Sequence, residues 1–282
     1  MKQGGVTSMK RKRKPLSRSK APAYRDEYDP RLLLPVPRAT HRREIGIGRV
    51  LTFSGVDIWN AYELSWLDPG GKPRVAIGTI IFPAESPCLI ESRSMKLYLN
   101  SFNQSRFASV DRVERTMRRD LRKACGSRVK VKITLPERFG QQALEELEGE
   151  LIDGVDAKIS IYTPDAALLS ARGPVVEETL TSNLLKSNCP LTGQPDWASL
   201  QIRYRGMKIS RAGLLRYIVS FRQHGDFHEH CVERIFTDVL RQCRPERLTV
   251  YARYTRRGGI DINPFRTNCG EASSPNRRTA RQ

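Results

Sequence analysis

Two apolar-rich runs with scattered polar positions, Asp57 to Trp66 and Arg74 to Phe82, are strand-like. Asp68-Pro69-Gly70-Gly71 lies between them, a strong turn signal, so the pair predicts a β-hairpin. The pattern then changes. Met95, Leu97, Tyr98, Leu99 and Phe102 suit a largely buried helix, and Val110, Val113, Met117 and Leu121 fall on one face of a second. A strand follows over Val129 to Leu135. Farther along, Ser199 to Tyr204 reads as a strand and Gly206 as a turn. Leu214, Leu215, Ile218, Val219 and Phe221 mark a helix that Gly225 ends. Asp226 is expected to cap the next helix, with Glu229 as its capping-box partner three residues on. Val232, Ile235, Phe236, Val239, Leu240 and Cys243 form that helix's apolar face, and Leu248 to Tyr254 is the return strand.

These two stretches are one unit written twice. Tyr98, Ser101, Phe102, Gln104, Val113, Glu114, Arg115, Leu121, Arg122, Arg128 and Val131 each recur at an offset of 119, without a gap. Eleven identities in a 34-residue window of complex sequence imply a tandem duplication. Each copy reads as a hairpin, two helices and a further pair of strands. That order predicts an α+β fold of antiparallel sheets, each with two helices layered on one face. The expected units are a basic disordered tail (1–23), a first module (24–165), a second module (166–270) and a flexible C-terminal tail (271–282).

Length and charge narrow the picture. The 282 residues leave room for two modest domains, and the formal charge of +19 favours an anionic partner: nucleic acid, a membrane surface, or a phosphate-bearing cofactor or substrate. Much of that charge is local to Lys10–Lys14, which reads better as a solvated tail than as a nuclear address. A nucleic-acid binder would depend on this tail and weaken steeply with salt; direct binding is not expected of the core. No apolar segment follows the basic start, so neither a signal peptide nor a membrane span is expected, and a cytoplasmic location is. The six cysteines are scattered and read as free thiols.

Four stretches carry candidate chemistry. Leu184–Pro190 places Cys189 in a polar loop near Lys186, where a lowered pKa would make a nucleophile, against the alternative of an inert buried thiol. His224, His228, Glu229, His230 and Cys231 resemble a metal cluster, but His228 and His230 project roughly 200° apart on a helix and Gly225 interrupts the rest. No metal is expected. His228 and Glu229 instead suit a ligand grip in a first helical turn. Leu89–Tyr98 offers a carboxylate, Glu91, and cationic groups at a helix entrance, although a serine cap with solvated charges reads as well. Arg253–Gly259 sets arginines beside two glycines, a place for phosphate or simply a strand-end turn. The copies differ informatively: Ser210 and Arg211 stand where the first copy has Glu91 and Ser92, while Ser109 and Val110 stand where the second has His228 and Glu229. Complementary losses suggest one composite site per chain.

The run Glu91-Ser92-Arg93-Ser94-Met95-Lys96-Leu97-Tyr98-Leu99-Asn100-Ser101-Phe102-Asn103-Gln104, with the Cys189 loop and Phe227-His228-Glu229, closely resembles the NADPH-dependent 7-cyano-7-deazaguanine reductases of queuosine biosynthesis, in their long two-module form. The resemblance runs from about Tyr24 to Arg266. It implies a tunnelling fold (T-fold) in each half, a homodimer, NADPH as co-substrate, and 7-cyano-7-deazaguanine as the nitrile reduced. It also implies Cys189 as nucleophile forming a thioimide, Asp196 as proton donor and His228 as an assistant in proton transfer. By the same resemblance Ile90, Glu91, Ser92, His228 and Glu229 contact substrate, and Ser92, Arg93, Arg257 and Gly258 contact NADPH. Arg93 stands where the family commonly has Lys, which keeps the charge and changes phosphate geometry.

Overall fold

The computed structural model describes residues 24–270 and 276–282; the basic tail expected at 1–23 lies outside them. Pro35–Pro37 (β1) and Arg38–Glu44 (α1) lead into the first hairpin, Ser54–Leu67 (β2) and Pro73–Pro83 (β3). Its turn closes as expected, with the Gly71 N–H donating to the Asp68 carbonyl at 2.9 Å. Gly71 takes φ +89°, which glycine adopts without strain. Cys88–Ile90 (β4), Ser92–Asn100 (α2), Val110–Cys125 (α3) and Lys130–Thr134 (β5) complete the first copy. After the two-residue Glu150–Leu151 (β6), the second copy follows as Ala171–Asn188 (β7), Pro195–Ile209 (β8), Arg211–Ser220 (α4), His228–Cys243 (α5), Arg247–Tyr254 (β9) and Ile260–Thr267 (β10).

An offset of 119 carries α2, α3 and β5 onto α4, α5 and β9 to within about three residues at each end. The repeated residues make the same contacts twice. Tyr98 packs edge-on against Phe102 at 5.1 Å, and Tyr217 against Phe221 at 5.4 Å. The Ser101 and Ser220 hydroxyls each donate to the tyrosine carbonyl three residues back, at 2.6 Å. The repeat is thus a packing signature, and each half has its own core: Trp59, Phe82, Tyr98 and Met117 in one, Ile202, Tyr217, Phe236 and Val250 in the other.

Both halves join one eight-stranded sheet, ordered β5-β3-β2-β10-β9-β8-β7-β6. Only the β6–β7 pair is parallel. Register places Ile80, Trp59 and Ile262 side by side, and Val250 beside Ile202, all toward the helices. Polar residues such as Asn60, Asp261, Asn263 and Arg253 point to the opposite face.

Several sequence expectations are corrected here. The first copy has no further strand pair beside its hairpin, because the chain after β5 leaves that edge and reappears as β6 at the far side of the sheet. Gly206 is no turn: β8 runs straight through it, and a Cβ there would sit 2.8 Å from Pro245 Cα, so the glycine permits close approach. α4 ends at Ser220 and passes through a short 3₁₀ turn before Gly225 is reached. Nor are residues 276–282 a free tail. Asn276 bonds Asn60 and Arg253, while Gln282 bonds Arg253 Nε, Asn263 and the Tyr254 carbonyl, each at 2.7–2.8 Å. These bonds engage Nε and one terminal nitrogen of Arg253, which is 1% exposed, as a buried charge demands.

Candidate active site

The longest hairpin, β7–β8, turns at Cys189–Gln194 and puts Cys189 at its tip. The Cys189 N–H donates to the Gln194 carbonyl at 2.8 Å and its carbonyl accepts from Gly193 at 2.9 Å, so backbone bonds fix the turn. Burial would raise the thiol's pKa, but hydrogen bonds from the Thr192 hydroxyl, the Leu191 and Thr192 N–H groups and Arg257 outweigh it and lower the value. Lys186 is not the cause. Its ammonium is engaged by Asn188 Oδ1 at 2.6 Å and the Arg222 carbonyl at 2.8 Å.

Asp196, at the start of β8, is 6% exposed. Its carboxylate lies 3.4 Å from the Arg257 guanidinium and 3.6 Å from His228 Nε2. The β9–β10 connection brings Arg257 there: the Thr255 N–H donates to the Trp197 carbonyl, and Arg257 also donates to Gln194 Oε1 at 3.0 Å. Gly258 has φ +59°, and a Cβ on it would meet the Lys96 side chain at 3.1 Å. His228 opens α5 and packs edge-on against Tyr254 at 4.1 Å.

The first copy supplies the opposite wall. The pairing of β1 with β4 buries Ile90 and sets Glu91 at the head of α2. Glu91 itself is the cap, accepting from the N–H groups of Arg93 and Ser94, both at 2.7 Å, while the Ser94 hydroxyl donates back to the Glu91 carbonyl. Ser92 and Lys96, one turn apart on α2, join Asp196, His228, Thr255 and Arg257 around a narrow cleft. Burial and then the Arg257 charge lower the Lys96 pKa, against the opposing charges of Glu91, Asp196 and Cys189. One ammonium therefore senses groups from both copies. Arg93 is an exposed residue of the first α2 turn and does not line this cleft.

Glu229 corrects the capping-box expectation. Phe227 occupies the cap position of α5, and Asp226 makes no cap bond into the helix beyond the Phe227 N–H. Glu229 is 2% exposed, and burial, joined by the charge of Asp57, pushes its pKa up to about 7 against the pull of Arg38 and His228. Because this value lies above the ordinary 4.5, ionising Glu229 destabilises the fold as pH rises from 4.5 to about 7. Glu229→Gln should leave stability nearly unchanged at pH 4 and raise it at pH 8 by about 1–3 kcal/mol, read from urea unfolding at both values.

Sequence reasoning missed three sets of residues. Lys96 is legible in the sequence only as one of the cations at the helix entrance, and its place in the cleft one turn after Ser92 is not. Thr192 carried no signal, because its role depends on the hairpin turn. The third set is a buried ion cluster behind Glu229. Arg38 pairs with Asp57 at 2.5 Å, Arg266 with Asp57 at 2.8 Å and Glu233 at 2.9 Å, and Arg42 with Glu233 at 2.7 Å. Its members come from α1, β2, α5 and β10.

The family described as "Nitrile reductase, 7-cyano-7-deazaguanine-reductase N-term" matches residues 24–133, and the one described as "QueF-like protein" matches residues 195–273. A protein named NADPH-dependent 7-cyano-7-deazaguanine reductase from Bordetella parapertussis is 59% identical over 261 residues, covering 92% of this chain and 96% of its own. The chain belongs to the 7-cyano-7-deazaguanine reductase family. Similarly named reductases from Burkholderia multivorans and Paraburkholderia xenovorans are 58% and 56% identical, each covering 93% of this chain and 97% of their own. An archaeosine synthase QueF-Like structure in the apo form covers 36% of the chain and all of its own at 15% identity and a TM-score of 0.31, too distant to bear on the fold. The cleft holds a buried carboxyl group, a histidine and two cations, one of which, Arg257, also hydrogen-bonds the Cys189 thiol. Among the described residues no helix is long and apolar enough to cross a membrane.

Proposed function

We propose that this chain reduces the nitrile of 7-cyano-7-deazaguanine to the primary amine at the expense of two NADPH, within queuosine biosynthesis. The observation that carries the reading is the convergence of Asp196, His228 and Lys96 on one cleft between the two copies, with Cys189 bonded to the Arg257 that lines it, in a chain of this family. A nitrile carbon accepts hydride poorly. The Cys189 thiolate adds to it, forming the C–S bond, while Asp196 gives a proton to the nitrogen; the product is a thioimide with a more electrophilic carbon. NADPH supplies the hydride in each of two successive reductions. After the first, and protonation of nitrogen, the C–S bond breaks, the electron pair returns to sulfur and an iminium is left. His228, 3.6 Å from Asp196, assists this proton traffic. The balance is one nitrile, two NADPH and two protons giving one amine and two NADP⁺.

Glu229 and Glu91 accept hydrogen bonds from the ring N–H and exocyclic amine of the deazaguanine, with Ile90 and Ser92 beside them. A buried carboxylate with a raised pKa gains most from such donors, because they replace lost solvation. Arg257 and Gly258 suit NADPH: the glycine leaves backbone open next to a guanidinium and Lys96. Ser92 and Arg93 complete that contact set, Arg93 as an exposed cation one residue along α2. In the same reading each half is a T-fold module, the molecule works as a cytoplasmic homodimer, and no metal takes part. Measuring NADPH lost against amine formed tests the reading. A ratio of two is expected; a ratio of one would contradict the two-step reduction.

A further inference from the structure

Asp226 lies where three parts of the molecule meet. Its N–H donates to the Asn188 carbonyl at 3.1 Å, and the Asn188 N–H donates to the His224 carbonyl at 2.7 Å, so residues 224–226 clamp the residue just before Cys189. On its other side Asp226 Oδ1 accepts from the Phe227 N–H at 2.8 Å, at the start of the helix that carries His228 and Glu229. Three imidazoles surround the carboxylate. His230 Nδ1 and His41 Nδ1 lie 3.3 and 3.5 Å from Oδ1, and His224 Nε2 lies 3.7 Å from Oδ2. All are largely buried, with side-chain exposures of 1–25%. His41 brings in α1, the helix whose Arg38 and Arg42 anchor the ion cluster.

His41, Asp226 and His230 offer ligand atoms within 4.8 Å of one another, and a metal is the first thing to test against them. The rings argue against it. They stack at 4.2 Å with planes only 18° apart. An ion bound to both Nδ1 atoms at about 2.0–2.1 Å must lie close to both ring planes. Nearly parallel planes a stacking distance apart share no point that close to the nitrogens. The rings instead pack as a pair, with Phe227 edge-on to both, and present two nitrogens to one carboxylate oxygen.

We infer that Asp226 is a positioning residue for the reaction at Cys189: its carboxylate, held by His41 and His230 and faced by His224, fixes the segment that clamps the Cys189 turn and starts α5. The inference rests on Cys189 being the nucleophile. Slack in residues 224–227 reaches the thiol and the pair His228 and Glu229 together, because both are attached to that segment directly. The hydrogen bonds that favour the Cys189 thiolate come from its own turn and from Arg257, so they weaken when the turn moves.

The test uses the full chain and iodoacetamide, with peptide mass mapping to follow Cys189 among the six thiols, across a pH series. In Asp226→Asn, alkylation at pH 7 should slow about tenfold as the thiol's midpoint rises by one unit. kcat for nitrile reduction should fall at least about tenfold with KM changed less, and Asp226→Glu should restore most of both. A folded Asp226→Asn protein with the wild-type alkylation profile and kcat would overturn the inference. If Asp226→Asn does not fold, the double variant His41→Asn/His230→Gln carries the same expectation and the same overturning result. Stoichiometric zinc retained by the wild type and lost in Asp226→Asn would also overturn it, in favour of a metal site. If Cys189→Ala keeps full activity, the nucleophile reading fails, while the alkylation profile still reports on the clamp.

Discussion

Cys189→Ala is expected to lower nitrile reduction by about 10⁴-fold or more, because the proposed reaction runs through a thioimide on this residue and no residue lining the cleft offers another thiol. The fold should barely change. The turn is held by backbone bonds between Cys189, Gly193 and Gln194, which the substitution leaves in place while removing the sulfur's own contacts to Leu191 and Thr192. Alanine at a half-exposed turn should shift the unfolding free energy by less than about 1 kcal/mol. Steady-state NADPH oxidation with saturating nitrile, alongside thermal unfolding, separates the two effects. Retained turnover would move the covalent step away from this residue. Loss of turnover together with collapse of the fold would instead contradict the account of the turn.

Glu233→Ala is expected to destabilise the protein by about 3–5 kcal/mol at pH 7, since it leaves Arg42 and Arg266 buried with one anionic partner fewer. Burial alone would raise the Glu233 pKa, but the charges of Arg266, Arg42 and Arg38 hold it down at about 2. A lowered carboxylate stabilises the fold above its ordinary value of 4.5 and loses that contribution as pH falls toward 2. The gap between wild type and variant should therefore narrow across that window. Urea unfolding at several pH values measures it, and a difference under 1 kcal/mol at pH 7 would contradict the role given to the cluster. The cluster is not remote from chemistry: its Asp57 and Arg38 are two of the charges that set Glu229.

What could be read from the sequence follows from what is local. Hydrophobic patterning placed β2, β3, α3 and β9 within a few residues, and the repeat located α4 and α5 because their packing residues recur. β7 escaped notice, since Ala171–Asn188 mixes glutamates, threonines and leucines without a clean alternation, and the Cys189 segment therefore read as a loop rather than a hairpin tip. The docking of Gln282 and the pairing of Arg38 with Asp57 depend on contacts between distant residues, which no local pattern records. Glu233 shows the limit of the repeat itself. It matches Glu114 by position, yet Glu114 pairs with Arg118 on a solvent-facing helix while Glu233 is fully buried. Of the residues that line the candidate cleft, Ser92, Asp196, His228 and Arg257 stand in motifs legible in the sequence, whereas the placement of Lys96 and Thr192 arises only from the fold.

The most direct test of the covalent reading is intact-mass analysis of the full chain mixed with 7-cyano-7-deazaguanine in the absence of NADPH. The expected result is one adduct of the nitrile's mass per chain, mapping to Cys189 and absent from Cys189→Ala. An unmodified wild-type protein, or an adduct that persists in Cys189→Ala, would contradict it.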